Sequence, residues 1–360
     1  MRIEVVRPGE LNGDDQKSWS AILAARPELS SPFLTPAWSR AVERAEGPDD
    51  VRVAMVEDRE GLKAVFPARC GVLTALPPGA PLNDRQGVIS VAEPLDLEPA
   101  ALLIALKVHR YDFSHLCTLD PVFGPHAQGV QDSYAVDVSG GWDAFEQGRR
   151  EAGTDILKDM AKRTRKIERE LGPVTFTPLS RSRADFEKLI AWKRASYFRS
   201  RQTDVLATDW VMRLLDELFE SRDPDFGGAL MTLHIGDKLA AAQFNIRGRN
   251  ELHSWFIGHD EAFERYSPGL VLFHEILRWM AAESPLKRLE LGPVPYRFKD
   301  RLANAPHPIA HGFAGLDSPV TLLRAAEYAM RKAAESLPLG RASQWPGKAM
   351  RRLDLWRGLG

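Results

Sequence analysis

Cysteine is almost missing from this chain. Cys70 and Cys117 are the two present in 360 residues, too few for a disulfide scaffold or a cysteine-based zinc site. A reducing, cytoplasmic setting is the expectation. Long apolar runs are missing as well. The longest one beside a helix, Ala100 to Leu106, falls far short of the ~20 residues that span a bilayer. Met1 to Pro8 carries charge every few residues and lacks the apolar core of a signal peptide. Neither sign of charge dominates: the formal net charge is −1. The whole surface therefore exerts no pull on nucleic acid, no DNA partner is expected, and any anion site has to be local. Two phosphate-holding motifs are absent too, the P-loop and the G-x-G-x-x-G dinucleotide turn. His307 and His311 have the spacing of helical metal ligands, but Pro306 and Pro308 argue against a helix there. No third ligand is evident, so no metal site is expected.

What remains is an ordinary globular composition, 44% hydrophobic and 27% charged, on a chain long enough for two domains. Residues 1–139 read as one α+β unit. Ser18 to Ala25 and Pro36 to Ala45 are helical, the second with Thr35 as N-cap and Pro36 at its first position. Val51 to Val56 and Leu62 to Cys70 are strands. A loop rich in proline and glycine follows, then a helix from Glu98 to Arg110 and a strand from Phe113 to Leu119. Residues 140–315 form a second unit, opening with a helix from Trp142 to Leu171. Between Lys158 and Arg169 that helix carries Lys158, Lys162, Arg163, Arg165, Lys166 and Arg169 against Asp159 and Glu168. Such a run reads either as a solvated face or as a basic wall beside an anion-binding groove. Arg183 to Arg199 and Thr208 to Glu220 are helical, and Pro306 to Pro319 reads as loop.

The stretch that organises the chain is Phe226 to Lys299. Gly227 to His234, Leu239 to Arg247 and Leu252 to Ile257 read as strands, with Gln243, Asn245 and Arg247 on one face of the second. The turn Tyr266-Ser-Pro-Gly269 then opens a helix from Leu270 to about Ala282, and Leu289 to Gly292 closes the unit as a strand. A strand that empties through a tight turn into a helix can hold an anion, because the first helical N–H groups lack internal partners and lie at the positive end of the dipole. Strand, hairpin, strand, loop, helix and strand also occur around Val51 to Leu119. The chain thus reads as a topological pseudo-repeat of one α+β module.

The run from Ile257 through Arg265, Tyr266, Ser267, Pro268 and Gly269 to Leu270 resembles the coenzyme A turn of the GNAT acyltransferases. More narrowly, Tyr266 to Gly269, Leu289-Glu-Leu-Gly292 and Phe298-Lys299 are similar to the CelD-like acetyltransferases of cellulose and holdfast polysaccharide biosynthesis. Those enzymes are related to the tandem-GNAT FemAB group. Ser31 to Trp38 and Trp192 to Tyr197 share the likeness, which covers roughly residues 30–305. Glu290 stands where that group usually has aspartate, and Phe298 where it usually has tyrosine. The resemblance implies a tandem GNAT fold, acetyl-CoA or another acyl-CoA as cofactor, and an amino-sugar or sugar precursor as acceptor. FemAB relatives use aminoacyl-tRNA instead.

N-acyl transfer needs a polarised carbonyl, an amine relieved of a proton and a thiolate that gains one. His253 is a candidate base, since histidine changes charge near neutral pH; simple alternation places it on the same strand face as Trp255. Glu251 is a second candidate base. Tyr296 stands where GNAT enzymes place the tyrosine that protonates the sulfur. Gln243, Trp255, Lys299 and the loop pair Asp84-Arg85 are candidate acceptor contacts. From Arg324 to Gly360 eight basic residues face three acidic ones, with Trp345 and Trp356 interleaved. This basic helical tail, residues 316–360, offers Arg351, Arg352 and Trp356 as a regulatory site for cyclic di-GMP, or as a peripheral contact with an anionic membrane. A non-catalytic effector on the same fold is the rival reading.

Overall fold

The computed structural model describes residues 1–47, 50–92, 94–336 and 345–359. In chain order they form β1 (Arg2–Val6), α1 (Gly13–Ala25), α2 (Pro36–Glu46), β2 (Val51–Asp58), β3 (Gly61–Cys70), β4 (Thr74–Leu76), β5 (Ile89–Ser90), α3 (Pro99–Ala105), β6 (Arg110–Cys117) and β7 (Ala127–Asp137). There follow α4 (Trp142–Glu151), α5 (Ile156–Glu170), β8 (Val174–Ser180), α6 (Arg183–Ser200), α7 (Asp209–Glu220), β9 (Gly227–Ile235), β10 (Lys238–Arg247) and β11 (Glu251–His259). The last elements are α8 (Pro268–Ala282), β12 (Arg288–Gly292), α9 (Arg297–Leu302), β13 (His307–Gly315), α10 (Pro319–Ser336) and α11 (Trp345–Leu359).

Two compact units result, Met1–Gln131 with Pro308–Gly360, and Asp132–His307. These boundaries differ from the sequence divisions at 139 and 315, because the chain from Pro308 onward packs with the first unit instead of standing as a separate tail. The first unit's sheet runs β1-β2-β3-β4-β6-β13, with β5 on β3; all pairs are antiparallel except β4 with β6. The second unit's sheet runs from the Tyr134–Asp137 part of β7 through β12, β11, β10 and β9 to β8, and here only β11 with β12 is parallel. Each unit therefore contains two antiparallel hairpins followed by one helical crossover to a parallel strand. The pseudo-repeat read from the sequence is present as strand pairing.

In the second unit, α8 buries Val271, Leu272, Ile276, Leu277 and Met280 on one stripe, against Ala229, Met231 and Leu233 of β9 and Leu289 of β12. Spacing of three and four residues gives α8 its apolar side, and Pro268 at its first position surrenders an N–H the helix could not have used. The opposite face of the sheet carries Phe244, packed edge-on against Phe186 of α6. Gly228 permits this closeness, since a Cβ there would lie 2.3 Å from Phe244 Cζ and 2.9 Å from the Leu218 carbonyl.

Two local expectations fail for identifiable reasons. The helix expected from Trp142 to Leu171 is two helices, α4 and α5, because Gly153 adopts φ +75° between them. Residues 306–319, expected as loop, contain β13. Pro308 sits near its start, where the missing N–H is tolerated. Gly312 lets it approach closely, since a Cβ would meet the His126 carbonyl at 2.6 Å.

Candidate active site

In the second unit β11 and β12 pair over three rungs only, Glu251 with Arg288, Leu252 with Leu289 and His253 with Glu290. Beyond His253 they part. β11 runs on to His259, paired with β10 alone among the described residues, while β12 ends at Gly292 in a turn of φ +73°. A wedge opens between two parallel strands, and one wall of it is the unpaired edge of β11. Backbone groups on such an edge need partners.

The residues after β11 turn the chain into α8. Ser267 holds φ +55° and ψ 56°, left-handed values that are uncommon for a residue with a side chain. Its carbonyl accepts from the N–H groups of Leu270, at 3.0 Å, and Val271, at 3.4 Å. The Gly269 N–H has no acceptor among the described residues. A Cβ on Gly269 would meet Ile257 Cδ1 at 3.4 Å, an ordinary contact.

The basic run of α5 reaches this turn. Ile156, Leu157, Met160 and Ile167 face the core, while Lys158, Lys162, Arg165, Lys166 and Arg169 are exposed. Arg163 is half-buried, and its Nη1 donates to Ser267 Oγ at 3.1 Å. The Lys166 ammonium lies 5.5 Å from the centre of the Tyr266 ring, and the Tyr266 hydroxyl donates to Glu170 at 3.0 Å. Arg265 packs over the same ring, with Tyr266 itself buried. Ile257 and Leu270 are half-buried against the core below.

A register shift between Phe244 and Asn245 corrects the sequence reading of β11. Phe244 faces Phe256 and Asn245 faces Ser254, leaving Trp255 as an extra residue. The bulge breaks strict alternation, so Trp255 does not take its face from His253 by counting in twos. His253 shares a face with Ile246 and Phe244, the α6 side. Gln243, Asn245 and Ser254 lie on the other side, joined by Gln243 Nε2 donating to Asn245 Oδ1 and Ser254 Oγ, both at 2.7 Å. Asn245 Nδ2 in turn donates to the Ala229 carbonyl at 3.1 Å.

On the paired stretch of β11, His253 at the last rung and Glu251 at the first are both buried. Arg288 Nε donates to Glu290 at 2.6 Å and lies 3.9 Å from Glu251, and its Nη2 is 2.9 Å from His307 Nδ1. Past the end of β12, Tyr296 is exposed and stacks on Phe298. Lys299 is buried, its ammonium donating to the carbonyls of Leu291 and Gly292. It braces the end of β12, an engagement that leaves little for an acceptor. Asp84 and Arg85 belong to the first unit. Asp84 lies 3.6 Å from His115 Nε2, and Arg85 donates to the Glu28 carbonyl at 2.8 Å.

The sequence reading did not single out Lys193. It sits on α6, the helix packed on β11, with its ammonium 5.1 Å from the Tyr197 ring centre, and burial pushes it below the usual lysine range. The same burial pushes the Tyr197 hydroxyl up to about 12. No pattern in the sequence distinguishes a half-buried helix lysine from a solvated one. The three tail residues also separate. Arg351 lines a cavity in the first unit, Arg352 is exposed, and Trp356 is 72% exposed. Among the described residues no group of three or more histidines, cysteines or acids could hold a metal ion, and no helix is long and apolar enough to cross a membrane.

The wedge, the turn and the crossover helix are the architecture of an acyltransferase domain. Residues 155–300 match the family model for the acetyltransferase (GNAT) domain, which supports an N-acyltransferase. Among solved structures, FemX is similar over 89% of this chain and 99% of its own, at 9% identity and a TM-score of 0.59. A conserved protein of unknown function from Bacteroides thetaiotaomicron VPI-5482 is similar over 88% of this chain and all of its own, at 11% identity and TM-score 0.51. A tandem GNAT protein from the clavulanic acid biosynthesis pathway is also similar, at 10% identity, 87% and 98% coverage and TM-score 0.42. The first two likenesses concern the fold. A search of curated proteins gives no match.

Proposed function

We propose that the chain is an acyl-CoA-dependent N-acyltransferase, carrying acetyl to an amino-sugar or sugar precursor of an exported polysaccharide. The observation that carries the donor half is the Gly269 N–H, without an acceptor at the positive end of a 15-residue helix. Arg163 and Lys166 stand beside the same turn, which suits a diphosphate. The open edge of β11 suits the amide-bearing arm of a pantetheine, which would pair with it as another strand would. When bound, the coenzyme supplies an activated thioester.

In this reading Gly269, Ser267 and Arg163 hold the diphosphate, and Tyr266, Ile257 and Leu270 shape the turn beneath it. His253 or Glu251 takes the proton from the acceptor amine, and Tyr296 returns one to the sulfur. Trp255 contacts the acceptor, while Gln243, buried on the face opposite His253, holds Asn245 and Ser254 in place. The likeness of Tyr266 to Gly269 and of Leu289 to Gly292 to the CelD-like enzymes supports the acceptor half. Release of free coenzyme A on mixing acetyl-CoA with candidate amino-sugars tests the whole reading. Aminoacyl transfer is the second reading, favoured by the FemX likeness in fold. It predicts acceptor modification with no dependence on acyl-CoA.

A further inference from the structure

The first unit holds a cavity of about 380 Å³, within the size range of small-molecule sites. It lies where the topology repeats the wedge of the second unit. β4 and β6 pair in parallel over two rungs, Thr74 with Arg110 and Ala75 with Tyr111, and then separate. Leu76 at the end of the first strand and Pro77 just after it line the cavity, with Asp112 to His115 of the second. Helices α10 and α11 close it from above.

Its walls have two characters. Leu76, Ala80, Pro81, Phe113, Met350 and Leu355 supply an apolar side. On the polar side four arginines, 324, 331, 351 and 357, face two aspartates, 112 and 354. Most of that charge is satisfied internally. Arg324 is paired with Asp112, Glu327 and Asp354 at 2.6–2.9 Å. Arg357 lies 3.2 Å from Glu327 and 3.4 Å from Asp354, and Arg331 lies 2.9 Å from Glu335. Arg351 is exposed and has neither a hydrogen bond nor an acidic partner among the described residues. The four carboxylates engage Arg324, Arg331 and Arg357, and Arg351 is the guanidinium left over on this wall. His311, on the same wall, is pushed down to about 4 by burial first, and then by Arg331 and Arg351.

We propose that this cavity binds a small organic anion, a carboxylate or phosphate on an apolar or ring body, with Arg351 taking the charge. A guanidinium held at the rim of an apolar hollow has a fork free for two oxygens, and burial of the body adds to the contact. The site is independent of the coenzyme turn, and nothing in the assigned acyl-transfer chemistry uses it.

The test is calorimetric titration of the full chain with phenyl phosphate, benzoate and inorganic phosphate. One of the two ring-bearing anions is expected to bind with Kd of about 1 mM or tighter, and which one binds identifies the anionic group. Inorganic phosphate is expected to bind at least about tenfold more weakly, having no body to bury. Arg351→Gln, at an exposed residue without a described partner, should keep the fold and weaken binding by about tenfold or more. Gly269→Trp, in the other unit, should leave it unchanged. The proposal is overturned if neither ring-bearing anion binds, if inorganic phosphate binds equally well, if Arg351→Gln binds like wild type, or if Gly269→Trp abolishes binding.

Discussion

Arg163 Nη1 and Ser267 Oγ are 3.1 Å apart, so one arginine of the basic helix is fixed on the turn that opens α8. Lys166 stands near the Tyr266 ring beside it, and Lys158, Lys162, Arg165 and Arg169 of the basic run form a solvated face. Both meanings of that run are present in one helix, and they divide according to which side of it a residue occupies. Arg163→Gln is expected to weaken coenzyme A binding by about tenfold, the worth of one charge-assisted contact. The loss should shrink at high salt. Titration calorimetry measures it, and equal affinity would leave α5 without a part in anion binding.

Two glycines should respond in opposite ways. At Gly228 a Cβ would collide with Phe244 and the Leu218 carbonyl, so Gly228→Ala is expected to lower stability by about 1–3 kcal/mol. At Gly269 the added methyl makes an ordinary contact with Ile257, and alanine is the better helix former. Gly269→Ala should therefore leave urea stability equal or raised while coenzyme affinity falls. A loss of stability at Gly269 would mean that this glycine serves packing and not a ligand.

His253 and Glu290 face each other on the last rung before the strands part. If His253 takes the proton of the amine, His253→Ala should lower kcat by about 10²–10⁴-fold with KM for acetyl-CoA nearly unchanged. Retained kcat, together with a loss on Glu251→Gln, would transfer the role to Glu251. Steady-state kinetics with a reactive amino-sugar separates the two.

His311 makes stability depend on pH. Burial and two nearby arginines hold its folded value at about 4, below the usual 6.5, so the unfolded chain takes up a proton first. Its contribution is complete above about pH 6.5 and is lost as the pH falls toward 4. Between those limits it adds a slope of up to about 1.4 kcal/mol per pH unit. His311→Asn should flatten that part of the profile. Denaturant melts of both proteins from pH 7 to 4.5 show whether they diverge.

Much of the second unit was legible because its signals are local. Strands β9 to β12 fall within a few residues of their expected bounds, and Ser-Pro-Gly marks the start of α8. The bulge at Trp255 was not legible, since it is a choice of register made against β10 and leaves no trace in β11 alone. The double role of the basic helix was hidden for a similar reason: Arg163 differs from Lys162 only in what lies opposite. β13 is hidden by Pro306 and Pro308 about its start and by Gly312 and Gly315, residues that punctuate loops, although Gly312 here permits a close backbone approach. A count of charge alone makes the C-terminal helices a basic tail, because it leaves out the partners of each arginine. Arg324, buried among Asp112, Glu327 and Asp354, instead ties that segment into the first unit.

The central claim is that the amide at Gly269 meets the diphosphate of an acyl-CoA. Thermal melting of wild type and Gly269→Trp across a range of acetyl-CoA concentrations tests it most directly. Wild type should gain on the order of 5 °C at about a hundredfold excess over Kd, and the variant should gain nothing relative to its own unliganded melting point. No shift in wild type at millimolar coenzyme, or an equal shift in both proteins, would contradict the account.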